Sequence, residues 1–514
     1  MNIRLSKSKL TAFRQCPKRL WLEVHRRDLL NDSASSQQRF EAGHRVGELA
    51  QTQYPNGILI APDNNLTKAL TETAQLIRQP ARRVLFEATF QAGGILVRAD
   101  LLIPTKGGWH MAEVKSATQV KDYHIEDTAI QHWVVTQSGI PLTQTSLQLI
   151  DSKWTYPGGN HYSGLLKLAP VDALIAPLQS VVPQWIAAAQ KVASGSEPKV
   201  RMGDQCNDPF ACGFQSYCET LTRPIQYPIT WLPYLRPSKR TTFEAKGFLD
   251  LRDLTPDDVS ALSPKQQRVL RATLDKTAYF EPLDEEEKSA VAGTRYYLDF
   301  ETITFAVPIW AGTRPYQQIP FQWSCHVETF DAPKTTSQNK RTVSNQNGAL
   351  TNEMFLDLSG NDPSRLFAEA LIRALGKKGA ILVYNQAFEK RIIKELAERF
   401  DDLAPALNKL LSRVVDLLPL ANAHYYHPDM EGSWSIKFVI PTISLALSYD
   451  NLEVVADGTG AQDAYLEAIQ LDTSPARKAE LDKALRTYCA RDTEAMVVLL
   501  KFLSGEVKNN LKNL

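Results

Sequence analysis

The chain has 514 residues, 43% of them apolar and 22% charged. That is too long for one ordinary core and too apolar for a disordered protein. Lys and Arg number 58 against 57 Asp and Glu, a formal net charge of +1, so no whole-molecule field draws in a polyanion. An acidic partner would have to be met by local basic patches. Two present themselves: Arg14, Lys18, Arg19, Arg26 and Arg27, and later Arg236, Lys239 and Arg240. Either patch reads equally well as a solvated face.

The opening residues, Met1 to Lys7, lack the apolar stretch of a secretory leader. No segment reaches the about 20 apolar residues of a membrane-spanning helix. The expectation is a cytoplasmic protein with no membrane partner, in which thiols stay reduced and grouped cysteines act as metal ligands. Cys16 stands alone near the start, and Cys206, Cys212 and Cys218 follow at C-x5-C-x5-C spacing. Together they would clamp the two ends of one segment. Cys325 and Cys489 lie singly in apolar surroundings and read as core residues.

Between those cysteines the predicted elements mix helix and strand. Phe40 to Gly47 has a helical pattern and offers His44, while Glu87 is a charge bracketed by apolar residues on a strand. Gly94 to Ile103 reads as a strand carrying Asp100. Pro104 to Gly108 is a turn, and Trp109 to Lys115 is the returning strand. Alternation across that strand puts Glu113 and Lys115 on one face and turns Val114 into the core. Carboxylates that hold a metal and a neighbouring ammonium are what phosphodiester hydrolysis needs. The plainer reading is a surface hairpin with an ordinary salt bridge. Downstream, Tyr123, Asp127 and Gln131 recur at four-residue spacing along one helical face.

Residues 1–222 resemble the RecB-like branch of the PD-(D/E)xK nuclease superfamily, including its iron–sulfur CRISPR-associated members. The resemblance rests on Cys16-Pro17-Lys18-Arg19, Gly43-His44, Asp100, Glu113-Val114-Lys115, Gln131 and the three later cysteines. It implies that His44, Asp100 and Glu113 hold Mg2+ or Mn2+ and that Lys115 is catalytic. Gln131 and Tyr123 would lie at the substrate, and Cys16, Cys206, Cys212 and Cys218 would bind a structural 4Fe-4S cluster. Two departures stand out. Val135 replaces a tyrosine that many relatives carry, and the last three cysteines are more widely spaced than usual. A cubane tolerates varied spacing whereas structural zinc favours close C-x2-4-C pairs, so iron–sulfur is the preferred assignment and zinc the other.

Residues 223–292 open proline-rich and continue as short helices. They form a small helical connector that reads either as a plain linker or as a helix-hairpin-helix-like contact with a nucleic-acid backbone. Thr255 before Pro256 is a helix start.

From 293 to 514 the third region begins with the strand Arg295 to Phe300, which carries Asp299 and leads to Glu301 on the same face. Gly379 to Tyr384 reads as a buried strand, followed by a helix bearing Glu389. Leu481 to Leu500 is strongly helical and sets Tyr488 and Asp492 four residues apart. Such carboxylates could hold two metal ions about 4 Å apart. This region looks like a DEDD, or DnaQ-like, exonuclease of the tyrosine type on an RNase H-like fold. The resemblance implies Asp299, Glu301, Glu389 and Asp492 as metal ligands and Tyr488 as the residue that orients water. Glu389 stands where that family has Asp, and Asp416 is a substitute carboxylate. Gly432 to Lys437 reads either as a strand-backbone contact or as a turn over a core Trp434.

End to end, the chain resembles predicted bacterial RecB-family nucleases with an uncharacterised C-terminal domain. The expectation is an α/β protein with a restriction-endonuclease-like domain, a helical connector and an RNase H-like domain. It would process single-stranded DNA or DNA ends in repair or defence, with RNA the other candidate substrate. The rival is a nucleic-acid-binding scaffold whose C-terminal nuclease domain is degenerate.

Overall fold

The computed structural model describes residues 4–31, 34–60, 65–222, 224–330, 349–447, 455 and 457–506, with backbone alone for 34–40. The architecture is α/β, with three sheets and the helices that cover them. The chain divides into two compact units: Met1–Pro224 with Thr304–Gln317, and Ile225–Ile303 with Gln318–Leu514. The connector is grouped with the second unit from Ile225 onward. A short piece of the expected third region, 304–317, is grouped with the first.

The first unit is built on a sheet ordered β2-β3-β4-β5-β6-β7, with β1 paired to β4. These strands are β1 (Leu5–Ser6), β2 (Ile58–Leu59), β3 (Leu85–Ala92), β4 (Ile95–Thr105), β5 (Gly108–Lys115), β6 (Leu142–Ile150) and β7 (Leu166–Pro170). Along β4 the alternation is clean: Ile95, Val97, Ala99 and Leu101 are buried, while Arg98 and Asp100 are half-buried on the other face.

Helices α1 (Lys7–Gln15), α2 (Pro17–His25) and α3 (Ala34–Thr52) precede the sheet's long strands. Ser6 caps α1 by accepting the Lys9 N–H, and the pairing of Leu5 with Ile95 sets the helix start beside β4. β5 and β6 are parallel, which requires a crossover, and α4 (Asp122–Gln137) supplies it. That helix buries Ala129, Ile130, Val134 and Val135 in one cluster with Met111 and Leu147. Each such side chain contributes roughly 1.5–3 kcal/mol when fully buried. The stretch 304–317 closes another cluster of this unit: Ala306 and Val307 pack with Val46, Leu49, Ile150 and Leu165.

The second unit contains the pair β8 (Tyr279–Phe280) and β14 (Tyr425–Tyr426). Its main sheet is ordered β11-β10-β9-β12-β13, from β9 (Arg295–Ile303), β10 (Ile319–Thr329), β11 (Ala349–Leu356), β12 (Ala380–Val383) and β13 (Val414–Asp416). β9 is covered on both faces. Leu298 and Phe300 join the cluster of Phe367 and Ile392, and Tyr297 joins that of Met496 and Leu500. Its helices include α5 (Pro264–Asp275), α6 (Ala387–Arg399), α7 (Leu417–His424) and the long α8 (Pro475–Leu503). Ser474 caps α8, and Pro475 occupies its first position, where no N–H is missed. Among the described residues no helix is long and apolar enough to cross a membrane.

Candidate metal centres

Asp299, Glu301 and Asp492 each offer a ligand atom, and these atoms lie within 4.8 Å of one another. β9 supplies two by alternation. α8 supplies the third because its register against β10 is pinned: Gln322 Nε2 donates to Leu485 O (2.8 Å), and Ser324 Oγ lies 2.9 Å from Thr493 Oγ1. Burial and the neighbouring Asp492 and Glu301 carboxylates raise the Asp299 carboxyl well above its ordinary range. Burial and Asp492 push Glu301 up to about 8, against the pull of the Lys437 ammonium. Three crowded acids, two of them held back from ionising, are chemically matched to a divalent, oxygen-seeking cation.

Tyr488 is buried one turn before Asp492, with Lys437 Nζ 5.2 Å from its ring centre. Of the two readings of Gly432 to Lys437, the turn over a core Trp is the one realised. Trp434 is a core residue whose Nε1 donates to Tyr425 O (2.9 Å), and Lys437 lies at the carboxylates. Cys489 is fully buried, its Sγ 3.9 Å from Asp299 Oδ2.

Glu389 is not among the three clustered carboxylates. It lies in the first turn of α6, is 2% exposed, and burial pushes it up to about 8, with Asp416 adding to the shift. Its Oε2 has no hydrogen-bond partner among the described residues, though its charge still bears on Asp299. Asp416 is occupied elsewhere. Its Oδ1 accepts the Asn385 N–H (2.9 Å) and the Leu418 N–H (3.0 Å), and its Oδ2 accepts that of Gln386 (3.1 Å). It holds the starts of α6 and α7 together.

In the first unit Glu113 Oε1 accepts from Lys7 Nζ (2.7 Å) and Lys115 Nζ (2.9 Å), and both ammoniums also reach Asp127 Oδ2 (3.1 and 2.5 Å). Burial alone would raise Glu113, but the two ammoniums outweigh it and hold the carboxyl far below its ordinary range. Burial likewise works against the Lys115 charge, and Asp127 and Glu113 outweigh it, so that lysine stays protonated. Asp100 Oδ2 accepts the Val114 N–H (2.7 Å); burial and the Glu113 charge raise its carboxyl well above normal. Glu87 lies across from Asp100 with the left-handed φ of 56°, a conformation costly for a residue with a Cβ. Burial and Glu113 raise it too, and the exposed His44 bears on it.

Glu113 Oε2 is buried without a hydrogen-bond partner among the described residues, and so are both polar atoms of Gln131. Among the described residues, however, Asp100, Glu113 and His44 are not a set of ligand atoms within 4.8 Å of one another, and two ammoniums already sit on the other Glu113 oxygen. Tyr123 is half-buried, edge-on to Phe210 at 5.1 Å. Val135 is wholly buried in the core, so the departure from the family's tyrosine faces no open site. Lys7 is a residue that sequence reasoning missed here. Asp127 was visible in the stripe with Gln131, whereas Lys7 arrives only through the β1–β4 pairing.

Cys16, Cys206, Cys212 and Cys218 are free thiols, half-buried, and near enough that each of the other three raises the Cys218 thiol, after burial. The loop is tied locally: Cys212 N donates to Cys206 O (2.8 Å), and Gln15 Nε2 donates to Gln205 O (2.8 Å) and Phe210 O (2.7 Å). Among the described residues the thiols are not a set within 4.8 Å of one another. A single tetrahedral zinc with bonds of about 2.3 Å would draw its sulfurs closer than that. A cubane binds each thiolate to a separate iron and keeps them further apart than a single zinc does.

The flagged basic patches are largely paired. Arg14 meets Glu126, Lys18 meets Glu197, Arg19 meets Glu23, Arg26 meets Asp28, and Arg240 meets Glu244.

Residues 296–435 match a family model described as a domain of unknown function, DUF2779. That span contains Asp299, Glu301 and Glu389 and ends before Tyr488 and Asp492. The chain is also similar to the "Uncharacterized protein MG366 homolog" of Mycoplasma pneumoniae, 28% identical over 231 residues. It is 24% identical over 228 residues to the "Uncharacterized protein MG366" of Mycoplasma genitalium. Each match covers 42% of this chain and 33% of the relative, so the chain spans about a third of the length of these curated proteins.

Proposed function

We propose that this chain is a metal-dependent nuclease acting on single-stranded DNA or DNA ends, with a PD-(D/E)xK-type site in the first unit and a DnaQ-like, RNase H-type site in the second. The observation that carries the proposal is the set of Asp299, Glu301 and Asp492, three acids within 4.8 Å of one another, two of which, Asp299 and Glu301, burial and their neighbours hold back from ionising. A divalent ion, Mg2+ or Mn2+, would supply Lewis acidity toward a phosphate and lower the pKa of the attacking water. Asp299, Glu301 and Asp492 would hold it. Tyr488 would orient the water, and the Lys437 ammonium would offset phosphate charge. In the first unit Asp100 and Glu113 would bind the cation, with His44 the third ligand that the family resemblance implies. Lys115 would stabilise charge on the phosphate. The four cysteines would hold a structural iron–sulfur cluster.

The test is a Mn2+-dependent time course on single-stranded DNA labelled separately at each end, with Lys115→Ala and Asp299→Ala beside wild type. Loss of one product ladder in each variant is the expected result. Cutting lost in Lys115→Ala alone would leave the second unit as a binding module. That second reading is favoured by one observation: Glu389 stands apart from the three clustered acids. No cutting of DNA or RNA by wild type would sink the nuclease reading altogether.

A further inference from the structure

The second unit contains a cavity of about 420 Å3 on α5, lined by Gln267, Arg268, Arg271, Asp275, Thr277 and Tyr279 among others. The Arg268 guanidinium lies 3.9 Å from the centre of the Tyr279 ring and gives one N–H to Ala423 O (2.6 Å). The Tyr279 hydroxyl is committed to Glu281 Oε2 (2.6 Å), so the residue brings its ring to the cavity rather than a free donor. Arg271 is exposed and gives one bond to Gln267 Oε1 (3.3 Å). Lys265 stands one turn earlier on the same helix, its Nζ 5.0 Å from the ring of Tyr234, which is 79% exposed, and 4.6 Å from that of Trp434. Trp434 belongs to the segment that carries Lys437 to Tyr488 and the carboxylates. Cations and aromatic rings thus alternate from α5 to the candidate metal centre.

We propose that this cavity is a second nucleic-acid contact, taking one nucleotide of a single strand, with Arg268 and Arg271 on its phosphate and the Arg268–Tyr279 stack beneath its base. It rests on reading the second unit as acting on nucleic acid. Guanidinium pairs suit phosphate, and a base stacks on a guanidinium plane or an aromatic face. The volume lies within the range of small-ligand pockets. A duplex keeps its bases stacked on one another and offers none to such a hollow, so a single strand is the occupant that uses all of it. Asp275 on the rim repels a second phosphate and confines the charge to the two arginines.

The experiment uses the full chain carrying Glu113→Gln and Asp299→Asn, titrated with fluorescein-labelled oligo(dT) in EDTA over a salt series and read by anisotropy. Adding Arg271→Ala should weaken binding roughly ten-fold and make the salt slope shallower by about 0.7, one single-strand phosphate contact. Arg271→Lys should keep most of the slope. Among the described residues Arg271 makes only the exposed bond to Gln267, so the fold survives its loss. Adding Arg268→Ala should deepen both effects. Unchanged affinity and slope in Arg271→Ala and in the double variant would overturn the site. An abasic strand or polyglutamate competing as well as oligo(dT) would overturn the stacked base and leave a bare anion surface. Cleavage in Mn2+ by the unsubstituted chain is scored separately. Arg271-dependent binding in a chain that cuts nothing keeps the inference and sinks the nuclease reading. Cutting with Arg271-independent binding does the reverse.

Discussion

At the scale of single residues, two buried acids of the second unit set a pH dependence whose sign can be worked out. Glu301 and Glu389 are pushed up to about 8, whereas carboxyls in an unfolded chain titrate near 4.3. Between those values the folded chain holds protons that the unfolded chain has lost. The contribution of these groups is therefore fully present below about 4 and is lost as pH rises through about 8. A divalent cation binds the ionised form and reverses the trend. In EDTA the melting temperature should fall from pH 5 to pH 8, and Mn2+ should restore more at pH 8; Glu301→Gln should flatten both effects. An equal Mn2+ shift at the two pH values would count against a cation at these acids. In the first unit Asp127→Asn leaves two ammoniums facing one buried carboxylate, and denaturant unfolding should show a loss of about 3 kcal/mol. Asp100, Glu113 and Lys115 were legible because strand alternation is local. Lys7 was not, because it reaches Glu113 from 106 residues away in sequence.

At the scale of elements, helix ends decide which carboxylates are available. Asp416 reads in sequence as a substitute ligand because it follows a short apolar strand, the usual place for one. Its three backbone partners come from two helix starts that only the parallel β12–β13 pairing brings together. Asp416→Ala should lower unfolding stability by about 1–2 kcal/mol while leaving Mn2+ uptake by calorimetry intact. Glu301→Gln should do the opposite, and loss of uptake in Asp416→Ala would reinstate it as a ligand. Gly432 to Lys437 was ambiguous for a related reason. Trp434 serves the core while Lys437 lies by the carboxylates, so one short stretch carries two demands and its composition points to neither alone. The long α8 was legible from Leu481 to Leu500 by its apolar period; its Ser474-Pro475 start, written just as locally, went unread.

At the scale of the whole molecule, the proposed cluster would join the two ends of residues 16–218, so loss of a cysteine should be felt across the first unit and not the second. Cys206→Ser should abolish iron content and visible absorbance in anaerobic preparations. By calorimetry it should lower one unfolding transition and leave another in place. Iron retained at the wild-type level would rule out that thiol as a ligand. The composition announced two or more cores, but it could not announce their interleaving. The strand that bears Asp299 and Glu301 ends at Ile303; the next fourteen or so residues complete a hydrophobic cluster of the first unit before the chain returns at Gln318. The two halves are therefore not detachable cassettes. A fragment ending near residue 224 would expose Val46, Leu49, Ile150 and Leu165 where Ala306 and Val307 belong, and its complement would carry an apolar loop with nothing to cover it. Neither half could be inherited or exchanged by a simple joining of genes without first re-evolving that wall.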